Sequence, residues 1–298
     1  MVATIMQFQI QRRCLLLGLL PVGADGAWAG SERVIVYPVF GGSDDPFGRF
    51  CVDALRLAVE RCGEAYSWKP MAHPIGQSRA IRELAEGLAG FNLMRAMTSA
   101  ERERQLLPVR LPLDRGLMGW RLLLVRRADQ QRFAKLRSFD DLRELTAGQI
   151  YDWPDTTILR ANGLQVGTAS QYYNMFTMLQ RGRIDYFPRS VLEIEDELAQ
   201  FGSSHELAIA PGLMLRYPTA MYFFVSPREP KLADDLRRGL ERALADGSLR
   251  ALFLAQMRPL LRRLGLGERT VLSLKNPLLP EATPLGRAEL WEEPGRQG

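Results

Sequence analysis

The sequence predicts an α/β protein of two lobes, each a mainly parallel sheet flanked by helices, joined by two hinge crossings. Three observations carry this expectation. From Arg33 onward, short apolar runs alternate with stretches of helical period, the order that builds a parallel sheet covered by helices. Two long apolar strands, 116–126 and 219–225, bracket a central β-α block, so the chain should leave one lobe and return to it, with the strands near 118–124 and 221–225 running between the lobes as the hinge. At 298 residues the chain has room for two domains of ordinary size. The expected division is a leader over 1–29, a discontinuous first lobe of 30–120 plus 222–275, a second lobe of 121–221, and a proline-rich tail over 276–298.

The elements follow in order. A strand at 34–39 ends in the turn Gly41-Gly42-Ser43-Asp44-Asp45-Pro46, where Asp45 can cap a helix whose first residue is Pro46. That helix carries Leu55, Ala58, Val59 and Cys62 on one face. A strand at 66–71, a helix at 78–88 and a strand at 91–97 complete the first β-α set. Beyond the long strand 116–126 come a helix at 140–145, the turn Tyr151-Asp152-Trp153-Pro154-Asp155 opening a helix, and a strand at 164–166. Then follow a helix at 169–180, a strand at 184–187, a helix at 191–201 and a strand at 207–210. The chain ends in two amphipathic helices, 230–246 and 248–264, and the tail. The strand 184–187 is the most informative piece: Gly182 closes the helix before it, Pro188 stops it, and Arg189-Ser190 lead into an acidic helix start. Residues just after such a strand lie at the carboxyl edge of the sheet, where ligands are held.

Composition narrows the class. An apolar fraction of 46% and a charged fraction of 24% are those of a globular protein. The net charge of +5 is spread along the chain without a Lys/Arg block of the nucleic-acid-binding kind. Arg12-Arg13, the short run from Cys14 to Leu20 and Ala27-Trp28-Ala29 read as a secretory signal peptide cleaved near Ala29, placing the mature protein in the periplasm, not spanning the membrane. Cys51 and Cys62 lie eleven positions apart on one predicted helix, about 16 Å along its axis. A disulfide needs Cα atoms within roughly 7 Å, so two buried free thiols are expected.

Catalytic constellations are sparse. His73 and His205 are the only histidines and lack metal-ligand spacing, so neither a metal nor another cofactor is called for. Glu193, Glu195, Asp196 and Glu197 crowd a helix start, where the helix dipole accounts for them.

Met97-Thr98-Ser99-Ala100-Glu101-Arg102, Gly116-Leu117-Met118-Gly119 and Gly182-Arg183-Ile184-Asp185 occur in an order and spacing that resemble the family-3 extracellular solute-binding proteins, the type II periplasmic binding proteins of polar amino-acid transporters. Trp153-Pro154-Asp155, Asp185-Tyr186-Phe187-Pro188-Arg189 and Asn276-Pro277-Leu278-Leu279-Pro280 are similar to an exported branch of that family. The resemblance covers about 33–271. It implies that an arginine after Thr98 grips a ligand carboxylate as a two-toothed pair; one extra residue in the spacing leaves Arg102 and Arg104 both open. Family members carry an ammonium-binding acid where this chain has Arg189-Ser190. The implied ligand set is Thr98, Arg102, Arg79, Trp153, Arg189, Tyr186 and Phe47, with Gln77 a further donor, and its arginines favour a small anionic ligand.

The leading expectation is therefore a monomeric binding protein, not an enzyme, that closes around a small anionic solute for an ABC permease or a membrane sensor. An exported lyase of cyclohexadienyl dehydratase type, using Asp44, Asp152 or Asp155 as its acid, is the alternative. A third reading is a partner-binding module whose cleft is filled by its own side chains or by Leu290-Trp291 of the tail.

Overall fold

The computed structural model describes residues 33–40, 45–88 and 90–293; the expected leader and Asp44 lie outside them. The first part of the chain gives β1 (Arg33–Tyr37), α1 (Pro46–Cys62), β2 (Tyr66–Pro70), α2 (Gln77–Glu86), β3 (Leu93–Met97), α3 (Ala100–Gln105) and β4 (Leu107–Val109). The middle gives β5 (Trp120–Arg126), α4 (Gln130–Phe133), α5 (Phe139–Arg143), β6 (Thr146–Ile150), α6 (Pro154–Ala161), β7 (Gln165–Ala169), α7 (Tyr172–Gln180), β8 (Tyr186–Ser190), α8 (Ile194–Phe201), β9 (Leu207–Ile209) and β10 (Leu213–Arg216). The last part gives β11 (Met221–Val225), α9 (Pro230–Ala245), α10 (Ser248–Arg263) and β12 (Thr270–Ser273).

Two walls of sheet result. In the first, β1 runs parallel to β2 and β11 lies antiparallel between β3 and β4. Asn92 joins the two pieces: its Oδ1 accepts the Val36 N–H at 2.9 Å and its own N–H reaches the Val36 carbonyl at 3.0 Å. The second sheet has the order β12-β10-β5-β8-β6-β7, with β9 also on β5. Here β6 is parallel to β7 and β8, while β5 runs against β8, β9 and β10. Helix α9 lies on α1 closely enough that a Cβ at Gly239 would stand 2.0 Å from the Ala58 carbonyl oxygen. Phe253 of α10 meets Phe50 of α1 edge-on at 5.5 Å. Apolar burial thus joins the two ends of the chain into one lobe.

The structure differs from the sequence reading at four places. The strands expected as hinges do not pass between the lobes. β5 lies wholly in the second sheet and β11 wholly in the first, and the crossings are the segments beside them, 110–119 and 217–220. Their apolar side chains reflect burial on both faces of a sheet. The crossings run side by side: a Cβ at Gly119 would stand 2.0 Å from the Tyr217 carbonyl oxygen. Asp114 ties both, its carboxylate accepting the N–H groups of Met118 and Met221 at 2.9 Å each, and burial pushes its pKa up to about 6. Second, residues 270–273, expected with the first lobe, pair with β10 in the second sheet. Third, β8 does not stop at Pro188 but runs to Ser190, with Pro188 opposite Leu123. Its missing N–H is tolerated because β6 pairs with β8 only at Tyr186, so no ladder bond is due from Pro188 on that side. Fourth, the Asp45 side chain does not cap the helix N–H groups, although Pro46 opens α1 as expected; the Asp45 carboxylate pairs instead with Arg95 at 2.6 Å. Cys51 and Cys62 are free and buried on the single helix α1.

Candidate interlobe binding site

The carboxyl end of β3 and the starts of α2 and α3 form the first wall. Ser99 caps α3, its hydroxyl accepting the Arg102 N–H at 3.2 Å. This turns the Arg102 side chain inward, where the residue is 7% exposed, whereas Arg104 is exposed. The burial separates the two arginines that the spacing left open. The Arg102 guanidinium donates to the Met97 carbonyl at 2.6 Å and to Gln77 Oε1 at 3.2 Å. Among the described residues no carboxylate forms a salt bridge with it. Burial pushes its pKa down to about 10, opposed through space by Asp155 first and Asp152 next.

The second wall starts where β6 ends. Trp153 and Pro154 open α6 and place Asp155 in its first turn. Asp155 is 4% exposed, and its Oδ1 takes Arg121 at 2.6 Å and the Tyr217 hydroxyl in a short bond. Arg121, on β5 and 2% exposed, donates from Nε to the Tyr217 oxygen at 2.7 Å and lies 3.8 Å from Glu193. Its guanidinium also touches Met97 Sδ of the first wall at 4.0 Å. Burial alone would lower its pKa, but Asp155 and then Tyr217 reverse that and hold it raised. The walls meet again where the Ser78 hydroxyl donates to Asp152 and where Arg263 pairs with Glu195 at 2.6 Å.

Arg189 does not face the cleft as a free cation. It is buried on β8, with Nε 2.8 Å from each Glu197 oxygen and Nη2 2.9 Å from Glu193. Trp153 and Phe187 each hold the guanidinium 4.9 Å from their ring centres, Tyr172 holds it at 5.8 Å, and the Tyr172 hydroxyl donates to Glu197 at 2.6 Å. Burial raises the Glu193 pKa, which the Arg189 charge opposes. The buried cluster of the second wall thus holds two arginines, Arg121 and Arg189, against three carboxylates, Asp155, Glu193 and Glu197, with Asp152 at its edge.

The other expected ligand residues separate. Gln77 stands with Arg102, and Trp153 is half-buried at the second wall. Thr98 is fully buried, its hydroxyl spent on Glu103 at 2.6 Å. Arg79 is on the surface, ion-paired with Glu83, because its side of α2 faces solvent. Tyr186 lies inside the second lobe, edge-on to Phe133, since its position on β8 points to the core face. Phe47 is buried against Phe50, with Arg95 over its ring at 5.5 Å. A cavity of about 330 Å³ opens between β1 and α1, lined among others by Tyr37, Phe40, Arg49 and the Asp45–Arg95 pair. Trp291 of the tail does not enter the cleft; it packs on Gly116 at the first crossing. Arg121 and Tyr217 were missed, although Arg121 is the one charge inside the apolar run 116–125, a signal of a buried, partnered cation. No group of three or more His, Cys, Asp or Glu among the described residues is placed to hold a metal.

No family model and no curated protein sequence matches the chain. Solved structures do. The GluR0 ligand-binding core from Nostoc punctiforme, in complex with L-glutamate, is 18% identical over 76% of this chain and 100% of its own, with a TM-score of 0.52. An ancestral arginine-binding protein bound to glutamine is 14% identical over 76% of this chain and 98% of its own, with a TM-score of 0.57. The ancestral amino acid-binding protein AncCDT-1, a precursor of cyclohexadienyl dehydratase, is 14% identical over 75% of this chain and 94% of its own, with a TM-score of 0.54. At these identities the likeness is one of fold, and it agrees with the resemblance read from the sequence. The chain has the two-lobed α/β fold of the type II periplasmic binding proteins.

Proposed function

We propose that this chain is an exported solute-binding protein that closes its lobes around a small amino-acid-like solute, with the solute carboxylate on Arg102. The observation that carries the proposal is a buried guanidinium without a carboxylate partner at the edge of a cleft. Such a group is costly to bury alone and is matched in shape by a carboxylate. The L-glutamate and glutamine in the similar structures add support.

The charge of the opposite wall favours a zwitterion over a dianion. The expected second anion site rested on Arg189, whose charge is already taken by Glu193 and Glu197. With acids in excess there, a solute bearing one carboxylate and one cationic group fits both walls. Ligand binding then shifts an open–closed equilibrium about the crossings and presents the closed form to an ABC permease or a membrane sensor. The lyase reading keeps one support, the likeness to the precursor of a dehydratase.

Thermal unfolding against the common L-amino acids, their des-amino acids and small dicarboxylates tests this. At 100 times its dissociation constant a ligand stabilises by about 2.7 kcal/mol, and an L-amino acid is expected to do so. Stabilisation by dicarboxylates alone would return the anionic reading, and conversion of a hit to a new product by NMR would favour the lyase. Silence across the panel would end the proposal.

A further inference from the structure

The C-terminal segment offers a second observation, independent of what the cleft binds. The chain passes between the lobes four times: at 110–119, at 217–220, from α10 into β12, and back again after Ser273. On the last return, the Asn162 side chain at the end of α6 clips Lys275 from both sides, donating to its carbonyl at 2.8 Å and accepting its N–H at 2.9 Å. Asn276 then donates to the Pro218 carbonyl of the second crossing at 2.8 Å. Two residues later, the Leu278 carbonyl accepts the N–H of Ala100, the first residue of the helix that carries Arg102, at 3.0 Å.

From there the segment stays on the first lobe. Arg287 forks onto Glu241 of α9 at 2.6 and 3.0 Å, and Leu290 is buried. Its end grips the first crossing. Arg115, held at φ +51°, donates to the Glu292 carboxylate and the Glu289 carbonyl at 2.9 Å each, and the Glu292 N–H returns to the Arg115 carbonyl at 2.8 Å. Trp291 covers Gly116 so closely that a Cβ there would meet its ring at 2.6 Å.

We propose that residues 274–293 are a strap that limits how far the cleft opens. Lys275 is fixed to the second lobe and Leu278 to the first, and the chain between them reaches about 10–11 Å when fully extended. The points at which the two walls hold Lys275 and Leu278 therefore cannot part further than that while both anchors hold. Two crossings side by side leave a hinge free to swing about their common line; beyond them and the passage from α10 into β12, this fourth tie, placed on the helix of Arg102, stops the swing. The ligand-free protein should consequently populate a narrow range of near-closed states.

Inserting eight Gly/Ser residues between Lys275 and Asn276 keeps both anchors and removes the limit. Spin labels on Arg82→Cys of α2 and Thr157→Cys of α6, both exposed, report the distance across the cleft without any ligand. The parent is expected to give one narrow distribution. The insertion should broaden it and lengthen its mean by roughly 5 Å or more, well inside the ~26 Å that eight residues allow. Should that variant fail to fold, the same eight residues placed between Asn276 and Pro277, which again leave the Lys275 and Leu278 anchors in place, are read in the same way. Identical distributions in parent and folded variant, or a parent that is already broad and open, overturn the strap.

Discussion

Replacing Arg102 by Met should separate its cost from its use. Burial weakens the guanidinium's hold on its proton by roughly three-hundredfold, bringing its pKa down to about 10. At ~1.4 kcal/mol for each tenfold change, holding the charge inside costs roughly 3 kcal/mol. Methionine fills similar space without that cost, but leaves the Met97 carbonyl without its 2.6 Å donor. An orphaned buried acceptor costs about 1–3 kcal/mol, while Gln77 regains its bonds from solvent. The ligand-free variant should be as stable as the parent or up to about 2 kcal/mol more stable, a Tm between unchanged and about 8 °C higher.

Binding should move the other way. Loss of a buried carboxylate–guanidinium pair costs about 2–5 kcal/mol, thirtyfold to several thousandfold in Kd for the best amino acid of the panel, read by calorimetry. There is also a pH signature. The unfolded chain holds the Arg102 proton more tightly than the folded one, so the unfolded state binds more protons above about pH 10. The parent should gain stability relative to the variant as pH rises past that point. A variant that loses more than about 2 kcal/mol would make Arg102 a strut of the fold, and one that binds the amino acid as tightly as the parent would remove it from the site.

Two further outcomes follow from the same chemistry. Arg189→Ala leaves Glu193 and Glu197 without their buried cation and should cost about 3–5 kcal/mol in urea unfolding, whereas an intact fold with weakened binding would mark it as a ligand residue after all. Cys51 and Cys62 should be silent to a thiol reagent in the native protein and both react after denaturation, since burial pushes the Cys51 thiol up to about 12; a fast native reaction would mean that α1 opens.

The alternation of apolar runs and helical periods sufficed for two lobes because burial dictates those periods directly. Four strands escaped notice, β4, β6, β10 and β12, each of only three to five residues and too short to show a period. β6 reads Thr-Ala-Gly-Gln-Ile, with Gly148 admitting the Ile184 side chain and Gln149 donating to the Pro188 carbonyl. β12 is a four-residue edge strand whose only pairing is with β10. The strap was visible as prolines and read as a tail, because the clip of Asn162 on Lys275 spans 113 residues and has no local signature.

The reading of Arg189 shows where sequence stops for the site. A sequence gives formal charge, and a ligand meets only the charge left over after the protein has paired its own groups. By sequence both Arg102 and Arg189 follow strands that end at the cleft, so position alone made them equivalent. The distinction lay in the acids: Glu193 and Glu197 sit four and eight residues beyond Arg189 and close back on it, while Glu101 and Glu103 flank Arg102 without forming a salt bridge to it. The acidic turn explained as dipole stabilisation of a helix is thus also the partner of a buried arginine. An arginine followed by acids at helical spacing is first a candidate for self-neutralisation. The free cation is the one whose neighbours in space, Met97 and Gln77, can only accept as neutral groups.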